Sequence, residues 1–385
     1  MAQVSEDRLL AWRAEFPILA RTTYLISHSM GAMPRRAAAW LARYGEEWSA
    51  QGITAWDRWE PYIREHGDRI AALIGAAPGT IVFHQNVSTL VSIALSALFQ
   101  PGGRRKIVTT DLNFPSITYN FAMHARLGLT TEMLRSPDGV TVPLEQWETA
   151  IDDDTLAVVV DHGIFRSGAL QDAAAITALA HRRGARCLVD VYQTAGCVPV
   201  DVTAWGADVV VGGSHKWLCG GPGAAWMYVR PDLIPTLEPR VVGWFSHARP
   251  FAFELAMDYS PTVMRFATGT PNIAALYAAR AGLEIILEVG VEAIRQRSLR
   301  LTRQLVELAE ARGLRVNTPR APEARAGLVA IDFPGAAEAE RELIRRGVML
   351  DYRPRCGLRL SPHFYTTEDE LDRVFTEIDD IRGRG

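Results

Sequence analysis

Residues 207–223 read ADVVVGGSHKWLCGGPG. The first seven form an apolar run without polar alternation, the pattern of a strand covered on both faces. The run ends in His215, Lys216 and Trp217, and glycines and a proline follow at once. A lysine at the end of a buried strand is costly unless it is paired, neutral or used chemically. Similar runs occur upstream as TIVFH, RKIVTTD, TLAVVVDH and ARCLVDV, with GAAWMYV following. Helical patterns alternate with them: STLVSIALSALF, FPSITYNFAMHARLG and AAAITALAHRRG. This alternation predicts an α/β fold with a mostly parallel sheet between two helical layers. Ligands of such sheets bind outside the carboxyl ends of the strands. That rule selects His84–Ser88, Asp111–Ser116, Asp161–Ser167, Asp190–Gln193 and Ser214–Lys216.

The ends of the chain read differently. Met1 to Leu19 has a helical pattern, followed by the short apolar TTYLI and the turn-rich SHSMGAMP. A long helical region follows from Arg35 to Gly75, with Trp40, Trp48, Trp56 and Trp59 as packing residues. Beyond about Thr270, a long helix from Asn272 to Glu310, breaking near Gly290, leads into short strands and two helices, an α+β pattern. The expected organisation is an N-terminal segment over residues 1–34 packing on the site, a large domain over 35–270 and a smaller C-terminal domain over 271–385.

Composition narrows the function. Of 385 residues, 48% are hydrophobic and 22% charged, as in ordinary globular proteins. A net charge of -3 gives no electrostatic case for nucleic acid or an anionic membrane surface. No apolar run reaches the length of about 18 residues that a membrane helix needs. The N-terminus is charged and amphipathic without a signal-peptide core. Cys187, Cys197, Cys219 and Cys356 have no CxxC spacing, so neither a metal site nor a disulfide framework is expected, and the cytoplasm is the expected location. No GxGxxG follows the first strands, which removes a nicotinamide-binding reading.

Asp190 and Lys216 close consecutive strands. They form either a simple ion pair or the two sides of a planar cofactor. A desolvated lysine amine is a nucleophile toward an aldehyde, and pyridoxal phosphate requires such a lysine together with a carboxylate facing its pyridine nitrogen. Its phosphate needs a helix N-terminus, which Asn86, Val87, Ser88 and Thr89 offer, and its ring needs an aromatic cover, offered by Phe114.

These segments carry a family resemblance. DVYQTAGCVPVDV, GGSHKWLCGGPGAAWMYV, DLNFPS and DHGIFRSGALQD resemble fold-type I pyridoxal-phosphate enzymes of the class V aminotransferase superfamily, and within it kynureninases. GWFSHARPF followed by RFATGTPNI is the most kynureninase-like feature, and YLISHSMGAMP and YRPRCGLRLSPHFY extend the likeness to both ends. The resemblance implies Lys216 as the Schiff-base lysine, Asp190 as the pyridinium partner and Phe114 as the stacking ring. It implies phosphate contacts from Val87, Ser88 and His215, with Trp244 and Thr270 supplied by the neighbouring subunit of a homodimer. Arg359 would hold the α-carboxylate of an amino-acid substrate, with His28 nearby, and Gln193 would bond the ring oxygen. His162, Arg166 and Gly168 fall in a matching stretch. Kynureninases carry an aspartate where this chain has Ile117, a histidine at Gln193, a tyrosine at His215, an asparagine at His28 and a tyrosine at Phe165. The expected activity is a kynureninase-like cleavage of a Cβ–Cγ bond, with aminotransferase, epimerase or carbon–sulfur lyase as the alternative. Cys356 lacks the surroundings of a desulfurase nucleophile.

Overall fold

The structure, a computed structural model, describes residues 6–383. Helix α1 (Glu6–Leu10) opens it, followed by 3-10 turns at Ala11–Glu15 and Pro17–Ala20. The single helix expected from Met1 to Leu19 is therefore broken within the described residues. Phe16 leaves helical backbone at φ -116 and ψ 89. The proline after it disfavours helical geometry, and burial of the Phe16 ring against Phe364 and Tyr365 holds the bend. Strand β1 (Thr23–Tyr24) follows. The tryptophan-rich region forms α2 (Arg36–Gln51) and α3 (Trp56–Leu73), broken at Gly52, which adopts φ +55.

The alternating region gives β2 (Ile81–His84), α4 (Val87–Leu98), β3 (Lys106–Thr110), α5 (Pro115–His124), β4 (Thr130–Leu134) and α6 (Leu144–Ala150). It continues with β5 (Thr155–Asp161), α7 (Ala173–Arg182), β6 (Arg186–Asp190), α8 (Val202–Trp205), β7 (Val209–Gly213) and β8 (Ala225–Val229). The seven strands order as β2-β8-β7-β6-β5-β3-β4. Only β8 runs against its neighbours, so the other six point their carboxyl ends the same way. Alternate residues of one strand enter different cores: Val158 and Val160 of β5 join one cluster, Ala157 and Val159 another. That division is the three-layer arrangement the unbroken apolar runs predict. Strand β4, TTEML, is largely exposed at the sheet edge, and its polar composition hides it from an apolar-run reading.

Helices α9 (Ile273–Val289) and α10 (Val291–Glu310) meet at Gly290, where the sequence predicts the break. Strands β9 (Arg315–Val316), β10 (Val329–Asp332), β12 (Asp351–Arg353) and β13 (Gly357–Leu360) form an antiparallel sheet, with α11 (Ala336–Arg345) and α12 (Glu368–Gly383) packed on it. Strand β11 (Val348–Met349) pairs with β1, tying the N-terminal segment to the C-terminal sheet.

The turn after β7 is clamped between distant segments. A side chain on Gly282 of α9 would land on the Leu218 carbonyl. Only glycine lets the helix approach the lysine-bearing turn so closely. Gly282→Ala is expected to lower stability by about 1–3 kcal/mol through overpacking, measured as a lower urea midpoint at unchanged m-value.

Candidate active site

The carboxyl ends of β2, β3, β5, β6 and β7 converge on a cavity of about 290 Å³. Asp161, Asp190 and Lys216 stand in its wall beside Tyr192, Gln193 and His215. Phe114, Ile117 and Phe165 supply its apolar side, and Asn86, Val87 and Ser88 close one end. The sequence-predicted residues of β2–α4, β3–α5, β6 and β7 are thus brought together.

Lys216 sits beyond the last residues of β7, open on one side to the cavity and otherwise enclosed by protein. Its Nζ lies 4.5 Å from the centre of the Tyr192 ring and 5.5 Å from that of Phe114. Among the described residues no carboxylate lies within salt-bridge distance of it. Burial lowers its pKa to about 8. The positive charge of Arg359 adds to that, against the pull of Asp190, Asp161 and Asp351. Asp190 accepts the Tyr192 amide at 2.7 Å, and burial raises its pKa to about 6. At neutral pH the cavity therefore offers a carboxylate at Asp190 and an amine part-way to its free form. The glycine at Gly213 is required here, because any side chain would occupy the place of the Tyr192 hydroxyl. That hydroxyl reaches His215 Nδ1 at 2.8 Å. Burial lowers the His215 pKa to about 4, so the ring is neutral and shares one hydrogen bond with the phenol through Nδ1.

Helix α4 begins at the cavity, with Asn86 as its cap: the side chain accepts from the Thr89 amide at 2.9 Å. The free N–H groups of the first turn and the Ser88 hydroxyl form an anion site at a helix N-terminus. Phe114 precedes the first turn of α5 and is 43% exposed, with its ring edge-on to Phe165 at 5.2 Å. A ring this exposed is available to a stacking ligand, which core packing would not allow.

Other predicted residues lie elsewhere. Gln193 lines the cavity, and its side-chain amide ties the N-terminal segment to the lysine turn: Nε2 donates to the His28 carbonyl at 3.0 Å and Oε1 accepts from Trp217 Nε1 at 3.2 Å. The second Nε2 hydrogen is left for the expected bond to a ring oxygen. Arg359 on β13 is buried one layer behind the cavity wall. Its Nε and Nη2 grip Asp351 at 2.8 and 2.5 Å, and Nη1 donates to the carbonyl of Phe165 at 2.8 Å. His28 is also buried, with Nε2 at 2.9 Å from Asp351 and Nδ1 at 2.5 Å from Ser361 Oγ. Burial and the Arg359 charge lower its pKa to about 4, while Arg359 and His28 hold the Asp351 carboxyl below its ordinary range against the effect of burial. Trp244 packs beside Phe245, Phe251 and Phe253, outside the cavity of its own chain, and its Nε1 donates to the Pro250 carbonyl. Thr270 is exposed and lines a separate hollow with His84 and Thr89, on the other side of the α4 start. His162 is buried, bonded to Thr194 Oγ1 and packed on Trp205; Arg166 lies over the Phe165 ring. Cys356 is buried and donates to the Arg166 carbonyl at 2.9 Å, with its pKa pushed up to about 12, so it has no thiolate to offer as a nucleophile. Asp351 is a neighbour of the site that sequence reasoning missed; Tyr192 and Asp161 lie in selected strand-end segments but were given no role. Tyr192 stood in plain view between Asp190 and Gln193, but its role requires the contact with Lys216.

The class-V aminotransferase pattern matches residues 31–374. The chain belongs to the class-V aminotransferase family. It is 34% identical over 368 residues to the uncharacterized aminotransferase YcbU of Bacillus subtilis (strain 168), covering 95% of this chain and 96% of that one. It is equally 34% identical to the kynureninase of Pseudomonas fluorescens, covering 96% and 92%. The fold superposes on the apo cysteine desulfurase of Thermococcus onnurineus NA1 with a TM-score of 0.87 at 23% identity, covering 99% and 98%. The family's cofactor is pyridoxal 5′-phosphate, and this chain is an enzyme of that kind. The residues fit the group: a lowered-pKa lysine for its aldehyde, Asp190 for its ring nitrogen, the exposed Phe114 ring for its face and the α4 N-terminus for its phosphate.

Two outcomes are expected. In cofactor-free protein, labelling of Lys216 by an aldehyde and borohydride will rise with pH around a midpoint near 8, followed by peptide mass spectrometry; an ordinary lysine would titrate above pH 10. Asp351→Ala leaves the Arg359 guanidinium buried and unpaired, and is expected to cost about 3–5 kcal/mol by chemical denaturation. Asp351→Asn will cost less.

Proposed function

We propose that this chain is a kynureninase-like hydrolase that cleaves the Cβ–Cγ bond of kynurenine or a related 2-amino-4-oxo acid. The observation that carries the first step is that Lys216 and Asp190 line one cavity with the exposed Phe114 ring and the start of α4, where burial lowers the lysine pKa. Bound pyridoxal phosphate withdraws electrons from the α-carbon of an amino acid joined to it. Asp190, ionised above about pH 6, would hold a proton on the ring nitrogen of the bound group. Lys216, once its amine is free, takes the α-proton. Arg359, held by Asp351 and the Phe165 carbonyl, would bind and orient the substrate carboxylate.

The later steps rest on the likeness to kynureninases and on the aromatic wall of Phe114 and Phe165, which suits an aryl side chain. Water adds to the γ-carbonyl carbon, the Cβ–Cγ bond breaks, and the acyl part leaves as a carboxylate. The β-carbon takes a proton, giving anthranilate and alanine from kynurenine. Tyr192 and His215, joined at 2.8 Å, are a proton-passing pair in the cavity. The working unit we infer is a homodimer in which Trp244 and Thr270 complete the partner's phosphate site. The exposed apolar surface of Ile53, Phe251 and Phe253 around Trp244 supports it.

One observation favours a second outcome, transamination, epimerisation or carbon–sulfur cleavage. Ile117 and Phe165 make the wall beside the Phe114 ring apolar, and the nearby Asp161 carboxyl is engaged by the Phe114 amide.

With cofactor and kynurenine supplied, anthranilate fluorescence is expected to grow with stoichiometric alanine. Lys216→Ala will abolish both the turnover and the visible absorption of the lysine-bound cofactor. A keto acid as the only product would refute the hydrolase and support transamination.

A further inference from the structure

The cavity floor holds two carboxyls, and the chemistry above uses one. Asp161 closes β5, Asp190 closes β6, and the two are register partners on neighbouring parallel strands. They are 3% and 7% exposed and line the same cavity as Lys216. Asp161 Oδ2 accepts the Phe114 amide at 2.9 Å. Its Oδ1 is sealed from solvent and has no hydrogen-bond partner among the described residues. The charged groups acting on Asp161 are Asp190 from β6 and Lys216 from the turn after β7; α5 presents only the Phe114 amide.

One lysine thus serves two carboxyls without a close ion pair to either. Two anions side by side in a sealed, poorly polarisable site retain one proton between them. The asymmetry decides where it stays. Each carboxyl accepts one backbone amide, but Asp190 acts on Lys216 more strongly, and only Asp161 has a second oxygen that is sealed from solvent and reached by no donor. An orphaned carboxylate oxygen costs far more than an orphaned hydroxyl. Burial and the neighbouring Asp190 charge also push the Asp161 carboxyl well above the ordinary range.

We propose that Asp161 is a neutral carboxylic acid at working pH: a positioning residue that fixes Phe114 through Oδ2 and leaves Asp190 the single anion of the cavity floor. Lys216 and Asp190 then balance one to one. A second anion would hold the lysine protonated and blunt it as a nucleophile. The proton sits on Oδ1, because Oδ2 already accepts from the Phe114 amide.

The test has two arms. In the first, infrared difference spectra of cofactor-free wild type minus Asp161→Asn at neutral pH are expected to show the carbonyl band of a protonated carboxyl, shifted in deuterated water. Carboxylate bands in its place overturn the proposal, and Asp161→Ser provides the same subtraction if the asparagine variant fails to fold. In the second arm, which rests on the cofactor reading of Lys216, the visible band of the loaded protein is titrated with pH. Asp161→Asn is expected to leave the midpoint where it is in wild type, because it replaces one neutral group by another. Asp190→Asn is expected to lower it by about 1 unit or more, because it removes the anion. An equal displacement in both variants overturns the proposal. If no visible band forms in any variant, the cofactor reading fails and the infrared arm still decides the protonation of Asp161.

Discussion

The site depends on the desolvation of one amine. Lys216 is kept out of bulk water by segments far apart in sequence, and each pays a steric condition for its approach. The Gly31 amide donates to the His215 carbonyl at 2.7 Å, and a side chain there would strike the Lys216 carbonyl. Gly282 admits α9 from another side, and His363 Nε2 meets the Trp217 carbonyl at 3.0 Å from the C-terminal segment. Because the enclosing pieces come from both ends of the chain, the amine acquires its low pKa only once the whole fold has closed. That links assembly of the N-terminal and C-terminal segments to reactivity at the end of β7.

Much of this was legible in sequence because it follows from local pattern. Apolar runs without alternation gave the parallel sheet, and the polar residues at their ends marked the cavity. Asp190 and Lys216 could be paired because each terminates its own strand. What was not legible depends on register or on hydrogen bonds between distant segments. Asp161 lies in a quoted segment, yet its importance appears only when β5 and β6 are aligned and it falls beside Asp190. Asp351 sits in an unremarkable VMLDYR, and only the antiparallel pairing with Arg359 reveals it as that arginine's partner. Gln193 had the right chemistry for a ring oxygen, and only the fold shows that its amide also joins the His28 carbonyl to Trp217. Strand β4 escaped because an edge strand has one side in water and loses the apolar signature.

The Arg359 arrangement sets what an incoming carboxylate would meet under the proposed function. A guanidinium has five N–H donors. Asp351 takes two and the Phe165 carbonyl a third, leaving two for an incoming carboxylate. Docking of an amino acid therefore need not break the Asp351 pair, whose separation would strand a buried charge. The pair also answers a problem of placement. An unpaired arginine near the cavity would be drawn toward Asp190 and compete with both Lys216 and the cofactor ring for its charge. With Asp351 holding it, and His28 and Ser361 holding Asp351 and the N-terminal segment in turn, Arg359 contributes its field without its mobility. That field helps depress the lysine pKa, so under the proposed function the arginine that would recognise the substrate would also sharpen the base that acts on it.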